Sequence, residues 1–227
     1  MKQTRIETLQ LTDGRELRMT VAEPESAVRG GLVVLHEARG VTDAVRGLVS
    51  GLAAEGWLVV APHLYSADEL DDEQAGTAVD GLDGESVLAD TDVAFVWLGQ
   101  RGVGADRMGV MGFDLGGSVA MAVAASRSVG AAVTVGGGGV LEPLAAGLPP
   151  LVDLAHELAC PWLGLYGASD DGVPAAEVAK LRDAAAGAHV ATDVVRYDDS
   201  EHRFDTSLSN ASDAWQRALN WFDSHLR

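Results

Sequence analysis

Short apolar runs recur along the chain. Gly31-Leu32-Val33-Val34-Leu35, Trp57-Leu58-Val59-Val60-Ala61, Met108-Gly109-Val110-Met111-Gly112, Ala131-Ala132-Val133-Thr134-Val135 and Trp162-Leu163-Gly164-Leu165-Tyr166 all lack the polar alternation of a half-exposed strand. Runs this short and this apolar predict strands buried on both faces. A last strand is predicted over 190–197. Between the strands lie stretches with helical spacing: 43–55, closed by Gly56; 86–101, with Val87, Leu88, Val93, Val96 and Trp97 on its apolar face; 115–126; 175–186; and an amphipathic closing helix over 211–226. Residues 5–22 alternate on either side of Asp13-Gly14, which predicts a hairpin. Residues 66–85 read as a long polar surface loop with at most one helical turn. Residues 136–157 read as an irregular Gly/Pro/Leu-rich excursion, the one segment suited to covering a site.

Short strands alternating with longer helices mean βαβ units and a mostly parallel sheet with helices on both faces. The leading hairpin adds antiparallel strands at one edge. No repeat or linker divides the sequence, so residues 1–227 are expected to form a single domain.

Charge adds a constraint. Sixteen Lys+Arg stand against 34 Asp+Glu, a formal net charge of −18. Such a chain repels nucleic acid and anionic membranes, so neither is expected as a partner. No apolar run is long enough to span a bilayer, and no signal-peptide pattern follows Met1. The single cysteine, Cys160, has no internal partner and is compatible with a reducing cytoplasm, the expected location. The eight acidic residues within 68–85 lack ligand spacing and read as a solvated segment. No metal or organic cofactor is implied. The expected partner is a small-molecule substrate, for a protein working as a monomer or a homodimer.

In open α/β sheets chemistry gathers beyond the carboxyl ends of the strands. Three loops there carry suitable residues. Gly112-Phe113-Asp114-Leu115-Gly116 has the glycine spacing of a nucleophile elbow, whose central side chain projects above a helix N-terminus. The alternative is that Asp114 merely caps an ordinary βα turn. Asp170, or its neighbour Asp171, follows the 162–166 strand and could orient a histidine or cap the next helix. His202 follows the last strand and could act as a base or lie on the surface. Their order, nucleophile, acid, histidine, is that of α/β-hydrolases.

The sequence resembles the dienelactone hydrolase family over nearly its whole length. The resemblance rests on Leu35-His36-Glu37-Ala38-Arg39-Gly40, Ala61-Pro62-His63-Leu64-Tyr65, Gly112-Phe113-Asp114-Leu115-Gly116-Gly117, Gly164-Leu165-Tyr166-Gly167 with Asp170 and Val173-Pro174, and Glu201-His202-Arg203-Phe204. It implies an α/β-hydrolase fold without a large cap domain. It implies Asp114 at the nucleophile position, Asp170 as triad acid, His202 as base and Glu37 as an additional carboxylate. It also implies an oxyanion hole from the backbone N–H groups of Leu115 and Ala38. The family normally carries cysteine, sometimes serine, where this chain has Asp114. The arginines with which the family holds dienelactone are not matched, although Arg39 and Arg203 could hold an anionic group.

A carboxylate suits displacement at saturated carbon, as in epoxide hydrolases and haloalkane dehalogenases, which this arrangement also resembles. Asp114 would then attack an epoxide or carbon–halogen bond, beside Phe113, with His202 activating water afterwards. Tyr65, Tyr166, Glu37 and His36 are the candidate acids for an epoxide oxygen. Alternatively, Asp114 activates water against a lactone or ester. The remaining alternative is a catalytically retired hydrolase fold that binds a small molecule or serves a non-hydrolytic biosynthetic step.

Overall fold

The computed structural model describes residues 4–64, 69–169, 172–201 and 208–226. An eight-stranded sheet runs through the molecule. Its strands are β1 (Arg5–Gln10), β2 (Glu16–Ala22), β3 (Gly30–Leu35), β4 (Trp57–Pro62), β5 (Met108–Phe113), β6 (Ala131–Val135), β7 (Trp162–Ser169) and β8 (Thr192–Glu201). The spatial order is β1-β2-β4-β3-β5-β6-β7-β8. β1 pairs with β2, and β2 with β4, in antiparallel fashion; every later pairing is parallel. The expected hairpin and buried strands are all present.

The helices are α1 (Asp43–Ala54), α2 (Asp72–Asp80), α3 (Gly84–Gly99), α4 (Leu115–Ser126), α5 (Leu151–Leu154), α6 (Ala175–Ala185) and α7 (Leu208–His225). Because side chains alternate across a strand, each inner strand feeds two cores. Val33, Leu35, Leu58, Val60 and Val110 join the layer containing Trp97, Val119 and Leu181 from α3, α4 and α6. Leu32, Val34, Val59, Ala61 and Met111 join the opposite layer with Val49 of α1 and Phe222 of α7. The apolar runs are therefore continuous because both faces are covered.

Residues 66–85 differ from the expected loop. Their described part contains α2 and the start of α3. Asp71 and Gln74 form a reciprocal capping box, and Asp83 caps α3 by accepting the Ser86 N–H. The acidity that looks like loop solvation thus partly serves helix starts. An apolar stripe was not legible because Ala75 is the main buried contribution from α2. The 136–157 excursion is mainly irregular, with α5 and a following 3-10 turn (Ala155–Glu157). It is fastened to α3 and α4: Ser118 Oγ donates to the Gly138 carbonyl and the Gly84 N–H to the Ala146 carbonyl. It lies back along these helices as part of the core, with Val140, Leu148 and Leu151 buried, rather than standing as a cover.

The hairpin is anchored to α3 by a pair of hydrogen bonds from Arg15 to Asp90, at 3.1 and 2.9 Å. Asp90 is only 5% exposed. A second anchor joins the Trp97 indole N–H to Glu7 at 2.7 Å, with the Arg101 guanidinium stacked over the Trp97 ring. These contacts fix the edge on which β4 and β3 are built.

Among the described glycines, the closest approach lies at the crossing from β5 into α4. A Cβ on Gly112 would lie 1.8 Å from the Gly116 carbonyl oxygen, and one on Gly116 would lie 2.4 Å from that of Leu35. Both distances are far inside van der Waals contact, so only hydrogen fits. By contrast, a Cβ on exposed Gly47 of α1 meets nothing within 4 Å.

Gly112→Ala should destabilise the fold by more than about 3 kcal/mol, since backbone cannot yield as a side chain can, whereas Gly47→Ala should stabilise it by about 0.5–1 kcal/mol. Asp90→Ala should cost about 1–2 kcal/mol, less than a fully buried pair because Arg15 remains half-exposed and can resolvate. Urea unfolding of the three variants checks each value; a neutral Gly112→Ala would refute the packing account.

Candidate active site

Asp114 sits between β5 and α4 with φ 50° and ψ −114°, the only non-glycine positive φ among the described residues. A side-chain-bearing residue there is strained, by about 1–3 kcal/mol. The backbone is held on both sides: the Asp114 N–H donates to the Val135 carbonyl at 2.9 Å, and its carbonyl accepts the Ser118 N–H at 3.1 Å. The Asp114 side chain makes no capping bond to α4. The capping alternative therefore fails, because a capping aspartate adopts extended backbone and turns its carboxylate onto the helix N–H groups. Here the half-buried carboxylate instead stands at the positive end of the α4 dipole.

Neighbouring elements bring several expected residues to this end of the sheet. Phe113 is the last residue of β5, half-buried and paired in register with Val135. Leu115 opens α4 and is buried. β3 lies beside β5, with Leu35 opposite Gly112, so the His36-Glu37-Ala38-Arg39 turn emerges next to the elbow. Glu37 and Ala38 are half-buried and Arg39 is exposed. The Arg39 carbonyl accepts the Leu70 N–H at 2.9 Å, which joins this turn to the segment before α2. β7 and β8 run side by side and end opposite each other at Ser169 and Glu201. Asp170, His202, Arg203 and Tyr65 lie outside the described residues.

His36 is completely buried. Its Nε2 accepts the Leu64 N–H at 3.0 Å, and its Nδ1 lies 2.7 Å from the Glu37 carbonyl. A backbone N–H can only donate, so Nε2 carries the lone pair and Nδ1 the proton. Burial, with His63 nearby, lowers its pKa to about 4, so the ring is neutral near pH 7. As a proton donor to a leaving group His36 is poorly placed, since its N–H points at a backbone carbonyl. Tyr166, another candidate acid, is fully buried on the α3–α4 side of the sheet. His63 is also buried, with Nε2 2.8 Å from Thr20 Oγ1, so it serves the packing of β2 against the end of β4.

A relay behind the elbow escaped the sequence reading. The Trp162 indole N–H donates to Thr134 Oγ1 at 3.0 Å, and that hydroxyl donates to the Gly117 carbonyl at 2.9 Å. The relay ties β7 through β6 to the first turn of α4. Tryptophan and threonine in apolar strands carry no signal of it, because the pairing is created by adjacency in the sheet. Cys160 precedes β7, at the opposite end of the sheet from the elbow. Burial pushes its thiol up to about 12, away from any nucleophilic role. A groove of about 440 Å³ between α6 and β8, lined by Val178, Arg182, Val194 and Arg196 among others, is bordered by none of the elbow residues. No described helix is long and apolar enough to cross a membrane.

Comparison with known proteins agrees with this architecture. A candidate carboxymethylenebutenolidase of Salmonella typhimurium strain LT2 is 32% identical over 204 residues, spanning 84% of this chain and 76% of that one. The carboxymethylenebutenolidase of Pseudomonas putida is 29% identical over 222 residues, spanning 93% and 90%. The crystal structure of a candidate dienelactone hydrolase from Klebsiella pneumoniae superposes with a TM-score of 0.86 at 30% identity, covering 98% of this chain and 99% of that one. The Dienelactone hydrolase family itself matches residues 17–226. With its mostly parallel sheet and its strained turn after β5, the chain belongs to the dienelactone hydrolase family and has the α/β-hydrolase fold, with Asp114 at the elbow.

Proposed function

We propose that this hydrolase works through the Asp114 carboxylate, with His202 as its base and Asp170 orienting that base. The observation that carries the reading is the elbow itself: a strained aspartate whose side chain leaves the α4 amides uncapped. Strained non-glycine positions cluster at active sites, where the surrounding structure over-determines them.

The substrate favoured by a carboxylate nucleophile is a small epoxide or organohalide. One Asp114 oxygen attacks the saturated carbon as the carbon–oxygen or carbon–halogen bond breaks, leaving an alkyl ester of Asp114. Tyr65 or Glu37 would protonate an opening epoxide oxygen, and Arg39 or Arg203 would hold an anionic substituent. His202 then takes a proton from water, and the resulting hydroxide adds to the Asp114 ester carbonyl. The Leu115 and Ala38 N–H groups stabilise the oxyanion. Collapse, with His202 returning its proton to the departing alkoxide, releases the alcohol and restores the Asp114 carboxyl group, which keeps one oxygen from water.

A second reading is favoured by the relatives, which are named for opening a butenolide lactone. In it Asp114 takes a proton from water, and the hydroxide attacks the lactone or ester carbonyl held against the same two amides. The Asp114 oxygens are then unchanged.

One experiment separates the two. A single turnover in oxygen-18 water, with excess enzyme and styrene oxide or dihydrocoumarin, should place label in the peptide containing Asp114 by the covalent route. Label confined to the product, the hydroxy acid from dihydrocoumarin or the diol from styrene oxide, would establish the general-base route. On either route Asp114→Ala should lower kcat by about a thousandfold or more. Undiminished turnover by that variant would remove both readings and leave the elbow carboxylate without a catalytic role.

A further inference from the structure

The peptide unit between Glu37 and Ala38 joins two features described above. Its carbonyl lies 2.7 Å from His36 Nδ1 and also accepts the Gly40 N–H at 3.1 Å, so the imidazole is the shorter of its two donors and the one from outside the turn's backbone. Its N–H is that of Ala38, the donor assigned above to the oxyanion hole. A peptide group is planar and trans, so its C=O and N–H point in opposite directions. Whatever holds the carbonyl also aims the amide. Hydrogen bonding to a carbonyl further polarises the same unit and strengthens its N–H as a donor.

From this geometry we infer that His36 is a positioning residue for the hydrolytic reaction, holding and polarising the Glu37–Ala38 peptide so that the Ala38 N–H faces the site above Asp114. The inference rests on the reading of the site under Proposed function. Three observations support the role. His36 is fully buried, so its ring cannot exchange these bonds for water. The Leu64 N–H occupies Nε2 at 3.0 Å, which forces the proton onto Nδ1 and makes that nitrogen the donor. The backbone of the same residue also abuts the elbow: a Cβ on Gly116 would come within 2.6 Å of the His36 carbonyl oxygen. One residue therefore references the turn after β3 to both the end of β4 and the first turn of α4. His63 is the neighbouring titratable group, and its Nε2 is engaged with Thr20 Oγ1 at 2.8 Å. The lowered pKa of His36 keeps the arrangement neutral through the ordinary working range of pH.

The two ends of the bridge can be removed separately. Asparagine places an amide N–H near the position of Nδ1 but does not reach Leu64. Glutamine reaches the position of Nε2 as an acceptor but leaves the Glu37 carbonyl with the Gly40 N–H, at 3.1 Å, in place of both donors. With styrene oxide and dihydrocoumarin as probes, His36→Gln should lose about ten- to a hundredfold in kcat with KM within about threefold, as expected for a group that acts on transition-state charge. His36→Asn should restore most of that kcat. A His36→Gln enzyme with wild-type kcat, or a His36→Asn enzyme no better than His36→Gln at equal thermal stability, would overturn the inference. The wild-type chain gives an independent reading through nitrogen-15 NMR of His36. Near pH 7, a proton on Nδ1 and an unprotonated Nε2 are expected; the opposite tautomer or a doubly protonated ring would also overturn it. The outcome is separable from that of the parent reading. Loss of activity in Asp114→Ala with full kcat in His36→Gln sinks only the histidine's role, whereas full turnover by Asp114→Ala sinks the catalytic assignment itself.

Discussion

The contact between the end of β5 and the first turn of α4 is the constraint on which the candidate site depends. Strand and helix approach so closely that hydrogen alone fits on Gly112 and Gly116. The residue between them must reverse the chain within one peptide, and for an L-residue this means a positive φ. Asp114 accepts that strain because its N–H and carbonyl are secured to Val135 and Ser118. Its side chain makes no capping bond to the helix that follows. Close packing, backbone strain and an uncapped helix start are consequences of the same crossing.

The surrounding structure holds that crossing rigid from several directions. β6 supplies the carbonyl for Asp114 and, through Thr134, a hydroxyl for Gly117. Trp162 from β7 orients the Thr134 hydroxyl. β3 presses the Leu35 and His36 carbonyls against Gly116. Each bond lies in a core with little access for water, where a satisfied polar network adds rigidity and a broken one is costly. The site is thereby built on regular elements, while its variable chemistry comes from the loops beyond them.

The net charge of −18 is handled outside this core. Arg15, Arg101, Arg127 and Arg217 each engage a nearby carboxylate. Most such pairs are partly exposed and contribute little individually. The Arg15–Asp90 pair differs because its carboxylate is buried and because it joins the hairpin to α3. Acidic residues also serve as caps at Asp71 and Asp83. Acidity therefore serves surface ion pairs and helix initiation together, an outcome that a total charge does not separate.

The sequence by itself determined the sheet's inner strands, most of the helices and the location of the elbow. Continuous apolar runs need two covered faces, and paired glycines about a polar residue need a sharp strand-to-helix turn. It did not reveal α2, whose capping box lies in a polar stretch with a scant apolar stripe. It left Asp114 open between cap and reactive group, and His36 and Tyr166 among the acids for an opening epoxide, because residue type states what a side chain can do and not where it points. Only the tertiary structure decided that the Asp114 carboxylate leaves the helix uncapped and that His36 turns inward with its proton toward Glu37. Those outcomes depend on partners distant in sequence, Val135 for one and Leu64 for the other, which no local pattern brings together.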